Sequence, residues 1–329
     1  MFQNLKNIDG FVVIDKPKGP TSHQVDYWVR QITGIDRVGH VGTLDPNASG
    51  VLVMALGRAT KLIDIIHEMP KEYVSVLRLY CDVPDEKLQW AFSEFVGQIY
   101  QLPPLRSAVS RVLRVREIYG LSILERHDRL VLFRVLCESG TYIRTLCTDI
   151  GYAIGCGGQM AELRRTRTGP FGEGETVTLQ DLSDAFTMAR EGDTGRLTSI
   201  IRGIDYPFRD LPKIIVKKSA LDNIAHGSDL FPGGIKAVLG TPSKGSRVAV
   251  YDPDNNLIGT GRMLVSHDEI RDLKVVDFDR ILIEPVIARK PQMHQKPYPV
   301  RQAATGKGKV QMARNSGKNV QGHRRSGRR

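Results

Sequence analysis

The stretch Gly39-His40-Val41-Gly42-Thr43-Leu44-Asp45-Pro46-Asn47-Ala48-Ser49-Gly50, running into Val51-Leu52-Val53-Met54-Ala55-Leu56, leaves the backbone few choices. Three glycines in twelve residues permit positive φ and close backbone approach. Pro46 fixes its own φ and moves Asp45 out of the α region, so Asp45 sits at a bend. The apolar run reads as a buried strand that holds the bend against a core. One carboxylate is thereby presented on a stiff loop, with an imidazole five residues upstream. Asp before Pro also caps turns, and Leu44-Asp45-Pro46 taken alone reads most simply that way.

At 329 residues the chain is long enough for two domains and a sizeable core. With 41% hydrophobic and 25% charged residues, its composition is that of a soluble globular protein. No apolar run approaches a membrane span, and the N-terminus lacks the apolar core of a signal peptide, so an intracellular, cytoplasmic protein is expected. The net charge of +11 is concentrated: residues 289–329 hold 12 Lys/Arg and no Asp/Glu, leaving 35 basic against 36 acidic groups elsewhere. Any nucleic-acid binding by the body must therefore come from local patches. Cys81, Cys137, Cys147 and Cys156 form no C-x-x-C pair, which argues against zinc and, in a cytosolic setting, against disulfides; they read as small core residues.

Taken in order, residues 8–15 read as a strand ending in the rigid Lys16-Pro17-Lys18-Gly19-Pro20 turn. Thr21 or Ser22 then caps a helix with Val25, Trp28, Val29 and Ile32 on one face. Arg58 to Met69 reads as a helix closed by Pro70, and Lys71 to Tyr80 as a strand rich in aromatic and β-branched residues. The spacing of Leu88, Phe92, Phe95 and Ile99 predicts a helix from an Asp85 cap through Ile99. Pro103-Pro104 stiffens a basic stretch with Arg106, Arg111, Arg114 and Arg116 among apolar residues; charge guarding a strand edge is the simple reading. A hairpin about His127-Asp128 follows, then a helix capped by Thr141 that buries Ile143, Leu146, Cys147, Ile150 and Ile154. Arg144 in its first turn opposes the helix dipole by a few tenths of a kcal/mol, which points to another obligation. Gly155-Cys156-Gly157-Gly158 lacks the G-x-G-x-x-G pattern, so a dinucleotide site is a poor fit. Residues 160–171 alone read as an amphipathic surface segment. Composition shifts at 204–212, where short strands and turns at Gly227-Ser228, Pro232-Gly233-Gly234 and Asp254-Asn255-Asn256 suggest a small β-rich module. From Ala288 the chain has the composition of disorder.

As a whole string, Gly39 to Gly50 resembles the catalytic loop of the pseudouridine synthases. The branch is the one shared by the bacterial tRNA enzyme and the archaeal and eukaryotic (dyskerin-like) H/ACA guide-RNA enzyme. D-K-P at 15–17, K-E-Y-V at 71–74, G-T-Y-I-R at 140–144 and L-R-R at 163–165 resemble further motifs of the same enzymes. The 104–116 stretch resembles the guide-dependent type, and residues 223–234 resemble, more loosely, the RNA-end-binding PUA domain. The resemblance covers roughly residues 8–180 and 206–288.

It implies an α+β fold: a mixed, mainly antiparallel-sheet catalytic domain at 1–205, a small β-rich PUA-like domain at 206–288 and a basic disordered tail at 289–329. It implies that Asp45 is catalytic, that Arg144 pairs with it, and that Tyr73 stacks on the target base with Leu163 lining the pocket. His40 would fill the space left by a flipped base or brace the loop. Lys16 would be structural first and a phosphate contact second. Arg106, Arg111 and Arg114 would contact phosphates, and Arg164, Arg165 and Arg167 would face RNA. The expected partners are H/ACA guide RNA, target rRNA, tRNA as an alternative target, and small accessory proteins, with no membrane. No metal or organic cofactor is required. The runner-up is a stand-alone tRNA pseudouridine synthase. A non-catalytic RNA scaffold fits poorly with Asp45, Tyr73 and Arg144 all present, and a paired-carboxylate glycosidase lacks a second acidic motif.

Overall fold

The computed structural model describes residues 5–103, 110, 112–271 and 273–285. Its elements, in chain order, begin with β1 (Gly10–Lys16), α1 (Ser22–Thr33), β2 (Val38–Val41), β3 (Ser49–Leu56), α2 (Ile63–His67) and β4 (Lys71–Leu79). Then come α3 (Asp85–Glu94), β5 (Gly97–Gln101), β6 (Arg114–His127), β7 (Leu130–Cys137), α4 (Ile143–Ile154), β8 (Gly158–Thr168), β9 (Phe171–Gly172) and β10 (Thr176–Val177). Helices α5 (Leu179–Arg190) and α6 (Gly195–Ile200) and the short β11 (Arg202–Gly203) complete the first part. The second holds β12 (Lys213–Val216), α7 (Leu221–Ala225), β13 (Ile235–Leu239), β14 (Arg247–Tyr251), β15 (Leu257–Met263) and β16 (Val276–Ile281).

Among the described residues, a large mixed sheet runs β10-β1-β3-β8-β4-β7-β6-β5, and a second sheet runs β13-β12-β14-β15-β16. Most neighbours are antiparallel; β1–β10, β3–β8 and β12–β14 are parallel. In the centre of the large sheet, β3 and β8 are paired at only Ser49–Arg164 and Gly50–Arg165. That short splice joins two half-sheets, each with its own core. On one side β1 and β3 pack their Val, Ile and Leu residues on α1, α5 and α6. On the other, β4, β6 and β7 pack on α3 and α4. Tyr73 and Leu163, both half-buried, touch both cores.

The predicted elements fall largely where patterning put them. Thr21 caps α1, its hydroxyl accepting from the Gln24 amide while the Gln24 side chain accepts from the Thr21 amide. The run 51–56 is fully buried in β3. The β6–β7 hairpin turns at Asp128, whose φ of 51° matches a residue tolerant of the left-handed region.

Other expectations are corrected. Helix α3 stops at Glu94; Gly97 takes φ 98° and Ile99 joins β5, so its apolar spacing serves a strand. Residues 57–62 form 3₁₀ turns before α2. Trp28 is exposed, and Val25, Val29 and Thr33 carry the buried face of α1. Tyr142, not Thr141, is the N-cap of α4; the Thr141 hydroxyl bonds the Glu138 carbonyl instead. The 160–168 stretch is strand, paired with β4. Cys81 and Cys156 are joined as a disulfide (Cα–Cα 5.6 Å), against the expectation of none, because the end of β4 and the loop after α4 meet. Cys137 and Cys147 are core residues as expected, their thiols pushed up to about 12 by burial.

The second sheet does not stand apart. Ala249, Tyr251, Leu257 and Leu282 share a core with Phe11, Val13, Val53, Phe171 and Phe208. Arg247 bonds Glu68 (3.0 Å) and Asp279 (3.2 Å), and Arg280 bonds Asp64 (2.7 Å). The proposed tail from residue 289, with Arg106 and Arg111, lies outside the described residues. Among those described, no helix is long and apolar enough to cross a membrane.

Candidate active site: the cleft along the sheet splice

The loop between β2 and β3 is strapped down by three side chains from distant parts of the chain. Ser22, the first residue of α1, is buried, and its hydroxyl both donates to the Leu44 carbonyl (3.1 Å) and accepts from the Leu44 amide (2.9 Å). Lys16, at the end of β1, donates to the carbonyls of Pro17 (2.9 Å), Pro46 (3.3 Å) and Ala48 (2.8 Å). Arg165 of β8 donates through Nε to Val51 O (2.8 Å) and through Nη2 to Gly42 O (2.9 Å). Two glycines make these approaches possible. Gly42 takes φ 72°, and a Cβ on Gly50 (φ 101°) would lie 2.2 Å from the Arg165 carbonyl, so the splice itself requires glycine. Between these straps Asp45 is held at the surface, at a turn closed by Ala48 N to Asp45 O (3.0 Å).

Of the two cations, Lys16 fits its first expected role and Arg165 does not. Lys16 is fully buried, and burial lowers its pKa, partly offset by the nearby Asp45 charge. Its ammonium is a strut for the loop, with no surface left for a phosphate. Arg165 was expected to face RNA; it is 1% exposed and points inward. The reason is strand alternation: residues 163 and 165 share the cleft face of β8, whereas 164 takes the other. Arg164 bonds both Asp15 oxygens (2.9 and 3.1 Å) and Glu173 (2.5 Å), while Arg167 lies 3.6 Å from Glu72. Arg165 is therefore internal, whereas Arg164 and Arg167, with side chains 37% and 43% exposed, hold carboxylates at the surface.

The cleft of about 950 Å³ is lined by Gly42 to Asp45, His67, Lys71, Tyr73, Arg114, Arg116, Glu138 to Arg144, Met160, Leu163 and Arg165. Across it, Arg144 Nη2 donates to Asp45 Oδ2 at 2.7 Å. Both side chains are about half exposed, so the pair adds little stability, about 0–1 kcal/mol. Its value is positional. Arg144 stands in the first turn of α4, whose entry Gln101 fixes by accepting from the Tyr142 amide (2.9 Å) and donating to its carbonyl (3.1 Å). Tyr73 on β4 is in register with Arg165. Burial raises the Tyr73 pKa against the pull of Arg165, so its phenol stays protonated at neutral pH. His40 lies beneath the loop, Nε2 at 3.2 Å from Thr43 Oγ1. Arg114, at the start of β6, lines the cleft.

Sequence reasoning took Ser22 only as an alternative helix cap and gave Gln101 and Lys71 no part in the site. Lys71 was legible only as a letter of K-E-Y-V, yet it is 3% exposed and donates to the carbonyls of His67 and Met69 and to Ser139 Oγ. Burial first, and the Arg165 charge second, lower its pKa from 10.5 to about 8. Between those values the unfolded chain binds the extra proton, so the sign is a stability that rises with pH. Wild-type stability should gain about 2–3 kcal/mol relative to Lys71→Met between pH 7.5 and 10. Denaturant titrations of both proteins at those pH values check this; a constant difference would mean that Lys71 keeps an ordinary proton affinity.

The Asp45–Arg144 pair thus lies over a slot walled by Tyr73 and Leu163, in a large mixed sheet followed in the chain by a smaller β-rich one. Three family profiles match: TruB family pseudouridylate synthase (N terminal domain) over residues 30–84, tRNA pseudouridylate synthase B C-terminal domain over 144–209, and PUA domain over 212–282. Among curated relatives, "Probable tRNA pseudouridine synthase B" of Picrophilus torridus is 61% identical across 85% of this chain and 80% of its own. The protein of the same name from Thermoplasma acidophilum is 58% identical across 85% and 77%. The chain belongs to the TruB family of pseudouridylate synthases. Among solved structures, the chain is similar to one in a Cbf5–Nop10–Gar1 complex (TM-score 0.78, 39% identity, 85% and 86% of the two chains covered). It is also similar to one in an H/ACA RNP bound to substrate RNA containing 2′-deoxyuridine (TM-score 0.74, 38% identity, 83% and 85% covered).

Proposed function

We propose that this chain converts selected uridines in rRNA to pseudouridine in the cytoplasm, as the catalytic subunit of an H/ACA guide-RNA particle with small accessory proteins. The observation that carries the reading is the Asp45–Arg144 pair at 2.7 Å in the cleft that Tyr73 and Leu163 also line. The isomerisation breaks N1–C1′, turns the base and forms C5–C1′; N1 ends with a proton and C5 loses one, so no oxidant or reductant enters. A uridine inside a helix is out of reach, so it must be flipped into the slot. There Tyr73 and Leu163 hold its faces, Asp45 attacks or stabilises the sugar and base as the bond breaks, and Arg144 keeps the carboxylate aimed. His40, on the loop side, supports Asp45 or takes the vacated space, and Arg114 meets the backbone.

Similarity to structures solved in H/ACA complexes supports guide-directed targeting. The names of the archaeal relatives favour a second reading, a stand-alone enzyme acting on tRNA. The test incubates pure protein with tRNA, and with guide RNA plus matched target, each with and without accessory proteins, and scores pseudouridine. Product that requires the guide supports the first reading; equal product on tRNA with protein alone supports the second; none in any arm removes the catalytic assignment.

Tyr73→Phe separates stacking from proton transfer. Phenylalanine keeps a face worth about 1–3 kcal/mol per base and removes only the hydroxyl. If the phenol moves a proton, the variant should bind RNA normally and turn over at least tenfold more slowly. A rate equal to wild type confines Tyr73 to stacking, and a wild-type rate for Tyr73→Ala as well would remove it from the site.

A further inference from the structure

Three potential ligands that are scattered in sequence meet beneath the Asp45 loop. His23 and Asp26 are three residues apart on α1 and share a face of the helix. His40 reaches them from β2. Both imidazoles aim Nδ1 at one carboxylate. His40 Nδ1 lies 3.0 and 2.8 Å from the two Asp26 oxygens, and His23 Nδ1 lies 3.4 Å from Oδ2. The rings meet edge to face with centroids 5.0 Å apart, and one donor atom from each of the three residues lies within 4.8 Å of the others.

A hydrogen-bonded triad explains the His40 distances. It explains His23 less well, since 3.4 Å is beyond the usual range for N–H···O. With metal bonds of about 2.0–2.2 Å, tetrahedral neighbours are separated by about 3.3–3.6 Å. The His23–Asp26 spacing already has that value; His40 would retreat about half an ångström from the Asp26 oxygen, and the two imidazole donors, within 4.8 Å of each other, would settle at the same spacing. The chemistry agrees: two imidazoles and a carboxylate are a zinc-type donor set. Burial agrees too. The Asp26 side chain is 12% exposed, and so enclosed a carboxylate favours a cation beside it. His23, 84% exposed, gives the ion a way in.

We propose that His23, Asp26 and His40 bind one divalent transition-metal ion of the zinc type, with a fourth position open to solvent. The ion would tether the His40 ring, whose far edge meets Thr43 two residues before Asp45.

The test uses the full chain stripped with a chelator and titrated with Zn²⁺ against a chromophoric competitor, alongside His23→Ala and Asp26→Asn. Residues His294 and His323 beyond the described region also offer imidazoles, so the comparison between proteins carries the result. One equivalent should bind wild type, with affinity at least tenfold weaker in both variants. Cobalt substituted for zinc should give tetrahedral absorption bands that His23→Ala loses. His23→Ala without metal should melt as wild type does, its side chain being exposed. Zinc uptake absent from wild type, or of equal affinity in His23→Ala, overturns the proposal.

Discussion

Asp45→Asn should bind RNA as tightly as wild type and form pseudouridine more than about a thousandfold more slowly, since losing a group that acts covalently or as a charge at the reacting centre normally costs at least that much. The substitution keeps the shape of the loop. Its straps are Ser22, Lys16 and Arg165, none of which bonds the Asp45 side chain, and the lost ion pair is half exposed and adds little stability. Single-turnover rates at saturating RNA, with affinity measured separately, check this. A variant that retains more than about a thousandth of the rate would move the reacting carboxylate elsewhere.

Arg165→Met is expected to have the largest combined effect on rate and folding. Methionine fills similar space but leaves Gly42 O and Val51 O without their donor. Charged hydrogen bonds of this kind are worth about 1.5–3 kcal/mol each, so a loss of about 2–4 kcal/mol is expected, partly offset because a buried charge is also removed. The loop that presents Asp45 is held from one side less, and a displacement of about 1 Å at a reacting group can lower a rate a hundredfold. Thermal melts and the turnover of the folded fraction separate the two effects. A rate within threefold of wild type would show that Ser22 and Lys16 hold the loop unaided.

The local grammar of the chain was legible where each residue's signal is short-range. The apolar run of β3, the Thr21 cap and the turn at Asp128 follow from neighbours a few residues away. The meeting of Asp45, Tyr73, Arg144 and Leu163 in one cleft was legible only through the family resemblance, because nothing in periodicity brings four distant segments together. Arg165 was misjudged, and Lys16 kept a second role as a phosphate contact, for one physical reason. A cation in a motif reads the same whether it faces phosphate or backbone carbonyls, and only the long-range pairing of β3 with β8 decides. Ile99 was misplaced because an i, i+4, i+7, i+11 apolar spacing can continue across a helix end into a strand when glycine intervenes. Cys81 and Cys156 lie 75 residues apart, and compartment arguments say nothing about proximity.

The two-residue splice between β3 and β8 has a further consequence. One half-sheet holds the carboxylate and its imidazole; the other holds the guanidinium, the tyrosine and the leucine. Neither half is a working site, and the backbone ladder between them is only two residue pairs long. Side chains nevertheless hold the halves in alignment: Asp45 and Arg144 meet across the cleft at 2.7 Å, and Arg165 of β8 ties Gly42 O and Val51 O on the β3 side, so the carboxylate is already aimed before a uridine arrives.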